Sequence, residues 1–329
     1  MAGLTDSAFR RLVKRAGGCG LVVSEMVSSE GIVRGGDRSL EFADFHDEER
    51  PISIQVFGGD PDRMAEAARV LEERGADMVD VNMGCPVPKI ARHEAGCGLM
   101  REPERAERIV EAMAKAVRVP VTVKMRAGWD DRLVNAPELA RRVAGAGAAA
   151  IAVHGRTAAQ AYSGLSDWDV IARVAASVSV PVFGNGDILD PTELVERKAR
   201  SGVAGVLVGR GVVRNPWLFA QAADLAAGGP ARSISMEQRG RFLLEYIDLL
   251  LAERVRPQPR APRHRPSLLA AGAIGHDRWV INKLRALVAW FSKGLDGGPR
   301  LRAAVNAAET VQALRGVVER FFLDPTRVC

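Results

Sequence analysis

Cysteine is scarce in this 329-residue chain: Cys19, Cys85, Cys97 and Cys329 form no CxxC pair and no dense cluster. That spacing argues against a disulfide framework and against a zinc knuckle. No segment reaches the ~18 apolar residues a membrane helix needs, and no charged-then-apolar leader opens the chain. A reducing cytoplasm is therefore the expected compartment, with no membrane partner. There is no GxGxxG fingerprint and no Walker loop, which sets aside a Rossmann dinucleotide domain and a P-loop. His46, His93, His264 and His276 are scattered and no HxxxH spacing occurs, so no metal site is expected.

What is present is apolar and unevenly charged. Hydrophobic residues make up 47% of the chain, enough for a large core, and the net charge is +6. Residues 1–235 carry 30 Lys/Arg against 31 Asp/Glu, whereas residues 236–329 carry 16 against 9. A near-neutral body with a basic tail points to a polyanionic partner, with a solubilising surface as the plainer reading.

Short apolar, β-branched runs alternate with amphipathic stretches. Strands are expected at Gly20–Glu25, Pro51–Phe57, Asp77–Asn82, Val119–Met125, Ala149–His154, Val180–Gly184 and Ala204–Gly209. Helices are expected at Pro61–Arg74, Pro103–Ala116, Pro137–Ala146, Asp167–Ala176, Pro191–Ser201 and Asn215–Ala226. A further helix, capped by Thr5 or Asp6, ends near Gly17 and Gly18. This alternation implies parallel strands covered by helices. Seven strands, preceded by a turn-like Ala2-Gly3, fit an α/β (β/α)8 TIM barrel whose first strand is truncated at the N-terminus. The barrel domain is expected over residues 1–230. Residues 236–329 show no strand signal and read as an all-α helical bundle, with helices at Arg239–Arg254, Ile281–Phe291 and Ala303–Phe322. A Pro/Arg-rich insert lies at 256–266.

Barrel active sites gather at the C-terminal strand ends, and here strand after strand ends on polar residues. They are Gln55, then Asn82 and Cys85, then Lys124 and Arg126, then His154 and Arg156, then Asn185, Gly186 and Asp187, then Gly209 and Arg210. The glycine-rich ends at Gly184–Gly186 and Gly209–Gly211 suit a phosphate, although turn glycines are the plainer reading. A lysine in the barrel mouth is costly unless it meets an anion or an electron-rich ring, or pairs with a structural aspartate. His154 could equally be a satisfied barrel histidine. No His–Asp pair adjoins Cys85, so packing and proton donation are weighed for this thiol ahead of a protease-like nucleophile. Cys97 reads as a small packing residue.

The consecutive segments MAGLTDSAFR, SEMVSSEG, PISIQVFG, DMVDVNMGCPVPKI, VTVKMRAGW, VHGRTAAQAYSGLSDW, GNGDI and GRGVVRNPW resemble the motifs of the tRNA-dihydrouridine synthases, bacterial B-type, in order from Met1 to about Leu225. The resemblance implies an FMN-containing TIM barrel with a C-terminal helical tRNA-binding domain, acting as a monomer. NADPH would reduce the flavin, hydride would pass to C6 of a tRNA uridine, and the loop cysteine would protonate C5. On this chain it makes Cys85 the catalytic acid. It assigns Met1, Ala2, Gly3, Gln55, Lys124, His154, Asn185, Gly186, Asp187, Gly209 and Arg210 to the cofactor. Asn82, Lys89, Arg126 and Arg156 fall to the substrate.

The helical domain departs from the family pattern. Where an Arg-Lys-His run normally precedes an aromatic pair, this chain reads Arg285-Ala286-Leu287-Val288-Ala289-Trp290-Phe291. Two rival readings are an FMN-barrel ene-reductase of a small molecule and a truncated, inactive RNA-binding relative.

Overall fold

The structure, a computed structural model, describes residues 3–87, 95–253 and 272–324. Met1, Ala2, Lys89 and the Pro/Arg-rich stretch 256–266 lie outside the described residues. Contacts divide the chain into two units. One is Gly20–Gly209; the other joins Met1–Cys19 with Arg210–Cys329.

The Gly20–Gly209 unit is built on one parallel sheet. Its strands are β1 (Val22–Val23), β2 (Val27–Ser28), β3 (Ile52–Phe57), β4 (Met78–Met83), β5 (Val121–Arg126), β6 (Ala150–His154), β7 (Val182–Asn185) and β8 (Gly205–Leu207). β1 and β2 both pair with β3, so they form two pieces of one strand position. From β3 to β8 each strand pairs in parallel with the next, the consecutive winding of a TIM barrel. Seven strand positions result, as the sequence leads one to expect. Among the described residues β8 pairs only with β7.

Local chemistry sets the helix starts. Pro61–Glu73 opens with Pro61 at its first position and the Asp60 carboxylate accepting from Arg63 N–H at 2.9 Å. Pro191–Ser201 opens with a capping box between Asp190 and Glu193 and closes on left-handed Gly202. Sequence periodicity did not reveal the short helices Ser29–Val33 and Asp37–Ala43 or the 3₁₀ segment Gly96–Arg101.

Strand alternation separates two kinds of side chain. Ile52, Ile54, Val56, Val79, Val81, Met83, Val121, Val123 and Met125 are all buried and share one face of β3–β5. The intervening positions carry Gln55, Asp80, Asn82, Thr122, Lys124 and Arg126. Barrel interiors are ordinarily filled by bulky branched residues. Here that interior face is polar across three adjacent strands, so each of those groups needs a partner.

The second unit is helical: Ser7–Ala16, Arg210–Arg214, Leu218–Ala226, Met236–Ala252, Gly272–Phe291, Gly298–Ala307 and Val311–Phe322. Asp6 caps the first helix, accepting from Phe9 N–H at 3.0 Å. Asp6 also accepts from the Tyr246 hydroxyl and pairs with Lys283, both at 2.9 Å. Phe242 contacts the rings of Phe9, Trp217 and Phe291, and Phe291 contacts Phe322. The single helix expected over Ala303–Phe322 is two helices, because Thr310 leaves the helix to cap Ala313 N–H at 3.1 Å. An Ala-Ala-Glu-Thr run carries enough helix propensity to hide that break from a periodicity reading. Arg285, the basic residue kept from the family run, donates to the Asn306 and Ala308 carbonyls at 2.8 and 3.0 Å. It thus satisfies the C-terminal carbonyls of Gly298–Ala307.

Gly184 in β7 lies against the helix Trp168–Ser177; a Cβ there would sit 2.7 Å from Trp168 Cη2 and 3.3 Å from Ile171. Gly184→Ala should therefore destabilise the protein by about 1–3 kcal/mol through overpacking. Urea unfolding monitored by Trp fluorescence measures it; an unchanged midpoint would show that the helix can slide away freely.

Candidate active site

The end of β4 is held by a directional chain of hydrogen bonds. Asn82 Oδ1 accepts from the backbone N–H groups of Cys85, at 2.9 Å, and Gly84, at 3.2 Å. Since that oxygen is committed, the Asn82 amide nitrogen must donate, and it does so to Gln55 Oε1 at 2.7 Å. Gln55 Nε2 in turn donates to Asp80 Oδ2 at 2.7 Å, and Thr122 Oγ1 donates to Asp80 Oδ1 at 2.6 Å. Gln55, Asp80 and Thr122 lie side by side in register across β3, β4 and β5. Asp80 is buried, which pushes its carboxyl pKa up; hydrogen bonds from Thr122 and Gln55 and the charge of Lys124 oppose the shift.

Lys124 neighbours Asn82 in register. Its side chain keeps some solvent contact while lying deep among protein atoms. Burial and the neighbouring Arg126 push its pKa down to about 8, against the pull of Asp80. Among the described residues its ammonium makes one long hydrogen bond, 3.5 Å to the Met125 carbonyl. That is thin satisfaction for an enclosed cation.

Arg126 is almost wholly buried and donates to the carbonyls of Gly84 at 2.8 Å, Thr157 at 2.8 Å and Ala161 at 2.9 Å. One guanidinium thereby ties the Cys85 turn to the loop after β6. Burial lowers its pKa. Its plane faces the Tyr162 ring at 5.8 Å.

Arg156 organises the next two strand ends. It donates to the Ser163 carbonyl at 3.1 Å, to the Gly164 carbonyl at 2.6 Å and to Asp187 Oδ2 at 2.7 Å, and lies 3.3 Å from His154 Nε2. Asp187 also accepts from Ser166 N–H at 2.8 Å, which helps hold a non-glycine residue at φ 54°. Gly186, at φ 125°, leaves no room for a side chain: a Cβ would lie 2.6 Å from Ser166 Cβ and 2.8 Å from His154 Cδ2. The Trp168 indole donates to the Gly186 carbonyl at 3.1 Å, and the Asn185 amide donates to the Leu207 carbonyl at 2.8 Å.

Gln55, Asn82 and the Cys85 backbone thus form one chain of contacts. His154, Arg156 and Asp187 form another, and Arg126 bridges the Cys85 turn and the following loop. Arg126 and Arg156, assigned to substrate by resemblance, spend these hydrogen bonds on the protein itself. Gly209 ends this unit, whereas Gly3 and Arg210 belong to the helical one. Cys97 is buried, its thiol pushed up to about 11 by burial, and its N–H donates to the Cys85 carbonyl at 3.1 Å. It packs, as its sequence context suggests. Asp80, Thr122 and Ser166 escaped sequence reasoning. The available signal was period two: Asp80 precedes Asn82, and Thr122 precedes Lys124, by one strand repeat. Among the described residues no group of three or more His, Cys, Asp or Glu side chains could hold a metal ion.

Lys124 gives a pH signature. With a folded pKa of about 8 against 10.5 unfolded, the unfolded chain binds more protons between those values, so stability rises with pH across that window. In protein stripped of bound anions, Lys124→Met should be more stable than the parent at pH 7 by about 1–3 kcal/mol. The gain should fade towards pH 10.5. Denaturant midpoints at pH 7 and pH 10 measure this; a constant difference would refute it.

A family model described as dihydrouridine synthase (Dus) matches residues 1–256. The chain is 37% identical over 330 residues to the "Probable tRNA-dihydrouridine synthase" of Rickettsia prowazekii, covering 98% of this chain and 93% of that protein. It is likewise 37% identical over 325 residues to tRNA-dihydrouridine synthase B of Xanthomonas campestris, covering 98% and 91%. Among solved structures, histamine dehydrogenase from Rhizobium sp. 4-9 superposes with a TM-score of 0.50 at 14% identity, over 74% of this chain and 46% of that one, a likeness of fold alone. With a family model spanning the Cys85 turn and every polar strand end, and relatives that match from end to end, this chain belongs to the dihydrouridine synthase family.

Proposed function

We propose that this chain reduces uridine in tRNA to 5,6-dihydrouridine, with FMN as its cofactor and NADPH as the reductant. The observation that carries the reading is the Cys85 turn. Cys85 follows the end of β4 with its backbone N–H held by Asn82, and Asn82 is itself in register with the enclosed Lys124 on a polar barrel face.

The residues of the Gly20–Gly209 unit fit a flavin phosphate ester. Lys124 has one long hydrogen bond among the described residues and gains from an electron-rich or anionic neighbour. Gln55 and His154 supply polar groups on β3 and β6, and Asn185, Gly186 and Asp187 form a turn in which glycine is obligatory at position 186. Bound FMN supplies the hydride equivalent that C6 of the uracil requires. Saturating the ring also needs a proton on C5, and the Cys85 Sγ–H is the group proposed to deliver it. Asn82 holds the Cys85 backbone for that transfer, and Arg126 fixes Gly84 beside it. A base stacked within tRNA has to leave its stack to reach such a site. The Lys/Arg excess of residues 236–329 attracts phosphate without regard to base sequence.

Purified protein should be yellow, and tRNA from a strain lacking the gene should lose dihydrouridine that the gene restores. Colourless protein together with unchanged tRNA would remove the reading. Cys85→Ala should keep the flavin and its reduction by NADPH yet lose about 10²–10⁴-fold in the step that consumes tRNA. A normal rate in that variant would assign the proton to another donor. Apparent affinity for tRNA should fall steeply between 50 and 200 mM salt, by about tenfold or more; a salt-independent KM would argue against phosphate contacts.

A further inference from the structure

We infer that Asp80, with Thr122 behind it, is a positioning residue for the Cys85 thiol, acting through Gln55 and Asn82. The inference rests on the proposed uridine reduction for its kinetic arm, while its second arm reads the thiol directly.

The argument begins with direction. Amide side chains can flip, exchanging donor and acceptor at almost no steric cost. Gln55 and Asn82 stand in series, so flipping one forces the other to flip or leaves two like atoms facing each other. At the Cys85 end the direction is set by two backbone N–H groups, which can only donate. At the far end it is set by Asp80, which offers Gln55 Nε2 an oxygen at 2.7 Å. With both ends fixed, one arrangement satisfies every member. Replace Asp80 with a group lacking an acceptor there, and Gln55 Nε2 loses its partner in a half-buried setting. Flipping Gln55 would then set its nitrogen against the Asn82 nitrogen. Either way the strain falls on the bond that holds Cys85 N–H.

Thr122 makes the device tolerant of Asp80's own protonation. Its hydroxyl donates to Asp80 Oδ1 at 2.6 Å, and a hydroxyl can also accept. If Asp80 takes a proton, the new O–H can donate to Thr122 Oγ1 while the other oxygen still accepts from Gln55. An asparagine at position 80 can do the same, its NH₂ donating to Thr122 and its oxygen accepting from Gln55. The direction of the relay is preserved in all three cases. With a donor at position 80, it fails when Thr122 can no longer accept. Asp80 reaches neither Cys85 nor the β6–β7 turn in this chain of bonds; its influence on the thiol runs through two intervening amides.

This yields a double-mutant test with near-isosteric changes, carried out on the flavin-loaded, full-length protein with tRNA. Asp80→Asn and Thr122→Val, made singly, should each slow the tRNA-dependent step by no more than about threefold. The double variant should slow it by about 30-fold or more, well beyond the product of the singles. Gln55 also belongs to the proposed flavin site, so flavin reduction by NADPH is recorded in the same variants, and the loss in the tRNA-dependent step should exceed any change in it by about tenfold. The second arm is the rate of Cys85 alkylation by iodoacetamide at one fixed pH, followed by mass spectrometry with Cys19 as internal reference. The double variant should alkylate Cys85 about threefold faster or more, with each single close to the parent.

Additive effects in both arms would overturn the inference. So would an Asp80→Asn variant as impaired as the double, because charge rather than direction would then matter. A fall in NADPH-dependent flavin reduction as large as that in the tRNA-dependent step would overturn it as well, placing Asp80's influence on the cofactor pocket rather than on Cys85. If the parent protein consumes no tRNA at all, the proposed function fails and the alkylation arm still decides the relay.

Discussion

The constraint on which the Gly20–Gly209 unit depends is that its sheet buries a polar face. Across β3, β4 and β5 the alternate positions not given to Ile, Val and Met carry Gln55, Asp80, Asn82, Thr122, Lys124 and Arg126. An unpaired polar group in such a place costs about 1–3 kcal/mol, and a charged one more. For Thr122, Asp80, Gln55 and Asn82 the structure meets that cost by linking them end to end, so that satisfying one fixes the orientation of the next. The ordered chain ends at the backbone of Cys85, and strand register thereby becomes thiol placement.

Two arginines extend the same logic to the loops. Arg126 and Arg156 are buried and aim their guanidinium groups chiefly at backbone carbonyls. Five donors in a rigid fork suit this task better than an ammonium, because one side chain can hold several turns at fixed angles. Arg126 couples the turn at Gly84 to the loop around Ala161, and Arg156 couples that loop to Asp187. Lys124, by contrast, makes a single long hydrogen bond among the described residues. The arginines read as framework, and the lysine reads as the group left over for a ligand.

The helical unit shows a similar reuse. Arg285, which the resemblance marks as the surviving member of a basic run, is engaged with the carbonyls that end a neighbouring helix. The charge excess of residues 236–329 is a property of the sequence and survives that engagement, but Arg285 contributes to it from a fixed, partly covered position. Asp6 likewise caps its own helix while receiving Tyr246 and Lys283.

The sequence by itself determined the architecture, because strand and helix periods are local: apolar runs of four to six residues, prolines and aspartates at helix starts, glycines at helix ends. It also placed Cys85, Lys124, His154 and Asn185 at strand ends, since a strand end is visible wherever an apolar run stops. The break at Thr310 was less legible, as propensity and capping compete over the same few residues. What only the tertiary structure decided is which polar group answers which. Gln55 meets Asp80 and Asn82 across 25 and 27 residues of chain, and Arg126 meets Gly84 across 42. Those pairings follow from strand register, and a shift of one residue would turn every one of them to the opposite face. For that reason Asp80 looked like one more aspartate in a strand until its neighbours were known.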